Sequence, residues 1–381
     1  MSEVAPAPVA WKSPLASQFG EIFAKAGIWI NGDRPWDIQI KDSSVFERIV
    51  SHGSLGLGEA YMDGHWDADQ LDEFFARILR AKLGRRVSRL SLMVPFLRER
   101  LINRQSPRRA WRVGEAHYDL GNDFYQAMLG PHMTYTCGYW KAAEDLDQAQ
   151  QAKLELICQK LQLESGMRLL DIGCGWGGFM AYAAKNYGVE CVGVSISREQ
   201  VEYARRRYAG LPLDFRLQDY RDLDGQFDRI ASIGMFEHVG KKNYRTFMKV
   251  VHRCLTDDGI FLLHTIGKSD STGVTDPWMD KYIFPNGELP AINHISEAVN
   301  GLLVTEDLHN FGADYDKTLM QWHANFAAAW PGFADTLGER FYRQWRYYLL
   351  SCAGGFRARD LQLWQWTLSK RGILGGCPRL G

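Results

Sequence analysis

Asp171-Ile172-Gly173-Cys174-Gly175-Trp176-Gly177-Gly178 closes the apolar run Arg168 to Ile172. An acid followed at once by clustered glycines predicts a strand-to-helix turn, where backbone can approach a ligand and helix amides converge. Gly173, Gly175 and Gly178 also satisfy the dinucleotide spacing. Asp171, two residues before the first glycine, argues against that ligand because a carboxylate repels a pyrophosphate. A ligand with a free ammonium is instead held by Asp171, and its amino-acid part can lie along the backbone from Gly173 through Cys174, Gly175, Trp176 and Gly177.

Outward from this turn the pattern repeats. Runs at Cys191 to Val194, Leu213 to Leu217, Phe227 to Ile233 and Gly259 to Ile266 read as strands. Helical spacing recurs at Leu154 to Leu163, Arg198 to Tyr208 and Lys242 to Leu255. Alternation of this kind predicts an α/β fold, a Rossmann-like parallel sheet with helices on both faces and a ligand site beyond the carboxyl ends of its strands. The second strand ends in Gly193-Val194-Ser195-Ile196-Ser197, without the acid that commonly holds ribose hydroxyls. Ser195 and Gln200 supply neutral hydrogen bonds there instead, while Ser197 is eligible as a helix cap. Gln218-Asp219-Tyr220, after the third strand, offers a carboxylate for an adenine amino group and an aromatic edge; the alternative is an ordinary surface turn. These features predict an S-adenosylmethionine-binding methyltransferase core over residues 167 to 240.

A chain of 381 residues exceeds what one core usually serves. We expect a smaller N-terminal α+β domain over 1–110 and a catalytic domain over 111–381. In the first, Phe19 to Ala26 reads as a helix ending at Gly27, Gly53 to Gly58 as a turn region, and Asp69 to Phe75 as a helix start. Seven scattered cysteines without Cys-x-x-Cys spacing argue against a disulfide framework or a metal site. No leader or membrane span is read, so the expected compartment is cytoplasmic. Net charge is zero, yet between Arg77 and Arg112 twelve Arg or Lys residues face the single acid Glu99. Leu90 to Leu97, apolar and bracketed by these cations, suits peripheral attachment to an anionic membrane. A solvated basic helix and nucleic-acid binding are the alternatives, because cation runs do not distinguish phosphodiesters.

From about Gly27 to Asp360 the chain resembles the cyclopropane-fatty-acyl-phospholipid synthases. The likeness is carried by Gly53 to Asp63, His117 to Asp123, Tyr135-Thr136-Cys137, Asp171 to Gly178, Met235 to Gly240, His264 to Gly267, Phe311 to Tyr315, Cys352 to Gly354 and Phe356 to Asp360. Only the glycine turn is generic to methyltransferases. The resemblance implies methylene transfer from S-adenosylmethionine to the cis double bond of unsaturated acyl chains in bilayer phospholipid, and no nucleic-acid partner. It places Tyr135 and Thr136 beside the cofactor, with Ser195, Gln200, Asp219 and Tyr220. An alkene is a weak nucleophile, so the chemistry demands positioning, a dry pocket and a base for the cation that follows methylation. From the residues alone Glu237, His238 and His264 are each eligible as that base. The resemblance implies instead a bound bicarbonate, held by the Cys137 region, Glu237, His264, the backbone at Ile266, and Tyr315. Cys352, once attractive as a nucleophile, is as well explained by packing, since methyl transfer to an alkene needs no covalent enzyme intermediate. Aromatic residues such as Tyr125, Tyr139, Phe236 and Trp278 are eligible to stabilise a cation. The N-terminal domain is a candidate for pairing two subunits.

Overall fold

The computed structural model describes residues 14–83, 120–270 and 275–380. The chain divides into two compact units, one of Met1–Leu101, Asp276–Ile283 and Leu319–Asp360, the other of Ile102–Thr275, Phe284–Thr318 and Leu361–Gly381. The proposed cut near residue 110 and the basic stretch beyond Leu83, including Leu90 to Leu97, lie outside the described residues. No described helix is long and apolar enough to cross a membrane.

In the first unit, strands β1 (Gln39–Ile40) and β2 (Trp66–Asp67) pair antiparallel. The unit does not stop at residue 110 as the sequence reading expected. Helix Ala334–Arg357 joins it because Arg343 donates to the Tyr61 and Trp66 carbonyls and pairs with Asp67 at 2.8 Å. Helix Pro277–Tyr282 joins it through Trp278, fully buried with its ring centroid 4.4 Å from that of Tyr347. The turn expected at Gly53 to Gly58 is a turn only at Gly53; Ser54–Met62 is a helix. Gly58 serves close approach rather than chain reversal, since a Cβ there would lie 2.3 Å from the Trp278 indole.

The second unit is built on β3 (Arg168–Ile172), β4 (Glu190–Ser195), β5 (Leu213–Leu217), β6 (Phe227–Ile233), β7 (Leu255–Lys268), β8 (Val304–Asn310) and β9 (Leu361–Ser369). Their order is β5-β4-β3-β6-β7-β9-β8. The strands from β3 to β7 pair parallel, as the strand-helix alternation predicts, and β9 runs antiparallel to both β7 and β8. β8 and β9 escaped the sequence reading, and β7 begins at Leu255 rather than Gly259.

Period-two alternation splits the strands between two cores. Leu170, Ile172, Val194, Ile230 and Leu263 pack on one face with Phe247, Val251 and Ile295. Leu169, Cys191, Ala231 and Leu262 pack on the other with Leu154, Ile157, Met180 and Val201. Each fully buried large apolar side chain contributes about 1.5–3 kcal/mol, so these two layers outweigh any single polar contact in holding the sheet. Asp171 shares the face of Leu169, the side covered by helix Leu146–Lys160.

Candidate active site

The register aligns the functional ends of the strands. Asp171 pairs with Gly193 and Ala231, Ser195 with Leu217, and His264 with Ile233 on one side and Gln365 on the other. Strand ends facing one way leave backbone and side chains to converge where the loops begin.

The glycine turn has the predicted form. Gly173, Gly175 and Gly177 all have positive φ, and helix Gly178–Tyr187 starts directly after them. Gly177 is doubly constrained: its φ is 82°, and a Cβ would lie 2.6 Å from the Phe215 ring. Gly177→Ala therefore combines a left-handed strain with overpacking and is expected to cost about 2–3 kcal/mol in urea unfolding. Asp171 is 2% exposed, and its Oδ1 is buried without a hydrogen-bond partner. Burial pushes its carboxyl up to about 7, against an opposing pull from the Lys153 ammonium. An orphaned carboxylate oxygen at a glycine turn fits a ligand ammonium. Beside the turn, Trp176 donates to Asn122 Oδ1 at 2.7 Å, and Tyr125 lies between Trp176 and Tyr135, at 5.1 and 5.7 Å between centroids. Burial holds the Cys174 thiol well above its ordinary range, so it is a packed neutral group.

Farther along the sheet edge, Ser195 Oγ donates to Gln200 Oε1 at 3.1 Å and accepts from the Ser197 amide. Ser197 caps the helix Arg198–Arg207, so Ser195 and Gln200 are the pair held together at the strand end. Gln218 is tied by its amide to the Ser195 carbonyl and by its side chain to the Asp222 carbonyl. Asp219 is buried, but its carboxylate accepts from the Arg221 amide and pairs with the Arg221 guanidinium at 2.9 Å. The Tyr220 ring packs edge-on against Phe247, in the core, with the Arg221 guanidinium 5.0 Å from its centre. The expected aromatic edge for adenine is thus engaged in packing.

A second group of buried polar atoms gathers at the ends of β6 and β7. The Ile266 amide donates to Glu237 Oε1 at 2.7 Å, and Glu237 Oε2 is buried with no partner. Burial raises the Glu237 carboxyl to about 7 despite the Ile266 amide. The resemblance implies the Ile266 backbone as a contact for bicarbonate; in this structure its amide donates to Glu237. His264 is 1% exposed, and burial drives its pKa well below the ordinary imidazole value. Gln365 Nε2 lies 3.2 Å from His264 Nδ1. An amide nitrogen only donates, so Nδ1 accepts and the ring proton sits on Nε2, which is itself buried and unpartnered. His238 has no such geometry; burial alone lowers it to about 4 and its ring sits 6.1 Å from Phe284.

The loop bearing Tyr135, Thr136 and Cys137 is clamped onto this region. The Thr136 methyl lies where a Gly234 side chain would be, 2.5 Å from the Cβ position. Thr318 receives the Gly138 amide at 3.1 Å and the Trp140 indole N–H at 2.9 Å, and Cys137 Sγ sits 3.8 Å from its hydroxyl. Burial keeps Cys137 a neutral thiol, whose Sγ donates to the Gly138 carbonyl. Tyr315 is buried one turn before Thr318, and its amide bonds to the Gly312 carbonyl. Phe311 contacts His264 at 5.8 Å between ring centres.

Cys352 belongs to the other unit, where burial pushes its thiol up to about 12, in keeping with the packing role already weighed for it rather than a thiolate. Trp278 is a core residue of that unit, and Phe236 stacks on Tyr244 at 4.3 Å in the core of this one. Conversely, Gln150, Lys153, Thr318 and Gln365 were not read from the sequence. Only Lys153 left a signal, as a cation four residues before Ile157 on a face that had to be buried.

A profile of the family described as mycolic acid cyclopropane synthetase matches residues 105–366. The cyclopropane-fatty-acyl-phospholipid synthase of Escherichia coli (strain K12) is 55% identical over 357 residues, 93% of this chain and 93% of its own. Cyclopropane mycolic acid synthase 1 of Mycobacterium tuberculosis is 35% identical over 277 residues, 67% of this chain and 96% of its own. The solved structure of a mycolic acid cyclopropane synthase complexed with SAH and CTAB superposes with a TM-score of 0.64 at 34% identity, covering 68% of this chain and 98% of that one.

Proposed function

The chain belongs to the cyclopropane synthase family of S-adenosylmethionine-dependent methyltransferases, and from that membership we infer that it adds a methylene across the cis double bond of unsaturated acyl chains in membrane phospholipid, with bicarbonate as the base. When bound, S-adenosylmethionine supplies an electrophilic methyl group and bicarbonate supplies a proton acceptor. The observation that carries the reading is the pair of orphaned buried atoms, Glu237 Oε2 and His264 Nε2. One is an acceptor and the other, by the Gln365 contact, a donor. A small anion bearing both an O–H and an acceptor oxygen carries the groups that complement this pair. Glu237 takes the hydroxyl and His264 holds an oxygen, with Tyr315 assigned to the same group. Asp171 holds the cofactor's ammonium, while Ser195 and Gln200 bind its ribose. Cys137 contributes through its loop, since its thiol is neutral.

The basic stretch from Arg77 to Arg112 is assigned to the membrane surface on the inner face, by charge alone. That attachment weakens as salt screens it.

The test is direct. Purified protein, labelled S-adenosylmethionine and unsaturated phospholipid vesicles are expected to yield ring-bearing acyl chains and S-adenosylhomocysteine; methyl-branched or unmodified chains would reject cyclopropanation. Rigorous removal of carbonate is expected to slow turnover. Full rate without it would make Glu237 itself the base.

A further inference from the structure

We propose that Lys153 is the counter-charge for the carboxylate at the amino-acid end of the cofactor, so that Asp171 and Lys153 together form a split cradle for a zwitterion. This rests on the assignment of Asp171 to the ammonium.

Lys153 lies on helix Leu146–Lys160, which covers the sheet face that Asp171 shares. It is fully buried, where a lysine is rarely found unpaired. Its Nζ donates to Thr136 Oγ1 at 2.9 Å, a neutral partner, leaving ammonium protons to be satisfied by something else. Asp171 Oδ1, which attracts it, has no hydrogen-bond partner, so the two opposite charges sense one another without closing a bond between them. A closed buried ion pair needs no ligand. An open one is two half-sites of opposite sign, and an amino acid presents the matching halves, ammonium and carboxylate, on adjacent atoms. One turn earlier on the same helix, Gln150 Nε2 donates to the Thr136 carbonyl at 2.8 Å. The helix therefore fixes the loop beside the cofactor turn from two points, and Lys153 is held in place by the residue it orients.

A purely structural Lys153 would bolt Thr136 in place and nothing more. Calorimetric binding distinguishes the two roles by using ligands with and without the carboxylate. On the unaltered protein, S-adenosylhomocysteine is expected to bind about tenfold more tightly than its decarboxylated analogue. In Lys153→Met this difference is expected to vanish, with S-adenosylhomocysteine weakened about tenfold and the decarboxylated ligand unchanged within twofold. Equal affinities on the unaltered protein overturn the proposal, even if the variant fails to fold. Equal loss for both ligands in the variant also overturns it, because that is the signature of a displaced loop. No binding of either ligand to the unaltered protein would count against the cofactor site itself.

Discussion

Glu237→Gln is expected to lower kcat for ring formation about a thousandfold while leaving the affinity for S-adenosylhomocysteine within twofold. Positioned proton transfer contributes roughly 10²–10⁴ in rate, and the amide keeps the size of the carboxyl while losing its ability to accept the hydroxyl proton of the base. The Ile266 amide still has an oxygen to meet, so the local fold persists. Chains that do react should accumulate as methyl-branched alkenes or alcohols, because with removal of the proton from the added methyl disabled, the cation is discharged by losing a proton from a neighbouring chain carbon or by adding water. Product analysis by mass and ring count checks this. A variant that makes cyclopropane at a tenth of the normal rate or better would remove Glu237 from the base site.

The pH profile supplies a second arm. Burial raises the Glu237 carboxyl to about 7, so the ionised form the reaction needs is depleted as pH falls below that value. At saturating cofactor and fixed bicarbonate, kcat should therefore fall on the acid side of about pH 7. Asp171 titrates in the same range, but once it holds an ammonium its proton is displaced and it leaves the kcat profile. Its titration belongs to cofactor affinity. The two carboxyls are thus separable by which constant they move.

The difference between what the sequence discloses and what it conceals follows from range. Asp171 to Gly178 is local: the acid, the glycines and the helix start are contiguous, and each is required by the conformation of its own backbone. β3, β5 and β6 are legible to the residue because each is a short strand that begins and ends on an apolar residue or beside a turn, with Gly166, Pro212 and Gly225 close before them. β9 is not, since Leu361–Ser369 is buried along nearly its whole length and shows no alternation, and its place between β7 and β8 is decided by pairing with strands far away in the chain. With β9 unread, Gln365 and hence the orientation of His264 were unread too. Gly53 to Gly58 misled for the converse reason: glycines there look like a turn, but the size limit at Gly58 comes from Trp278, distant in sequence. Lys153 was concealed by its own type, since helical lysines ordinarily face water.

Asp171→Asn is expected to weaken S-adenosylhomocysteine binding about a hundredfold, and at the same time to stabilise the unliganded protein. Losing a charge-assisted bond to an ammonium costs about 1.5–3 kcal/mol, the upper part of that range applying where water is excluded. The stability effect has the opposite sign. A carboxyl whose folded pKa is raised, here from 3.8 to about 7, destabilises the folded state progressively as pH climbs between those values, and by a constant amount above. Asparagine carries no such charge. The variant should therefore melt several degrees higher than the parent at pH 8 without ligand, with the gap closing as pH falls towards 4. Saturating S-adenosylhomocysteine should reverse the order, because only the parent gains the full binding energy. Calorimetry of the parent at pH 6 offers an independent check: binding there must release a proton as Asp171 ionises, so the observed heat should vary with the ionisation heat of the buffer. Heats independent of buffer, or an Asn variant no more stable than the parent at pH 8, would mean that Asp171 is already ionised and paired without ligand. The orphaned Oδ1 argues that it is not. The carboxylate is a cost of the empty fold, recovered when the cofactor binds.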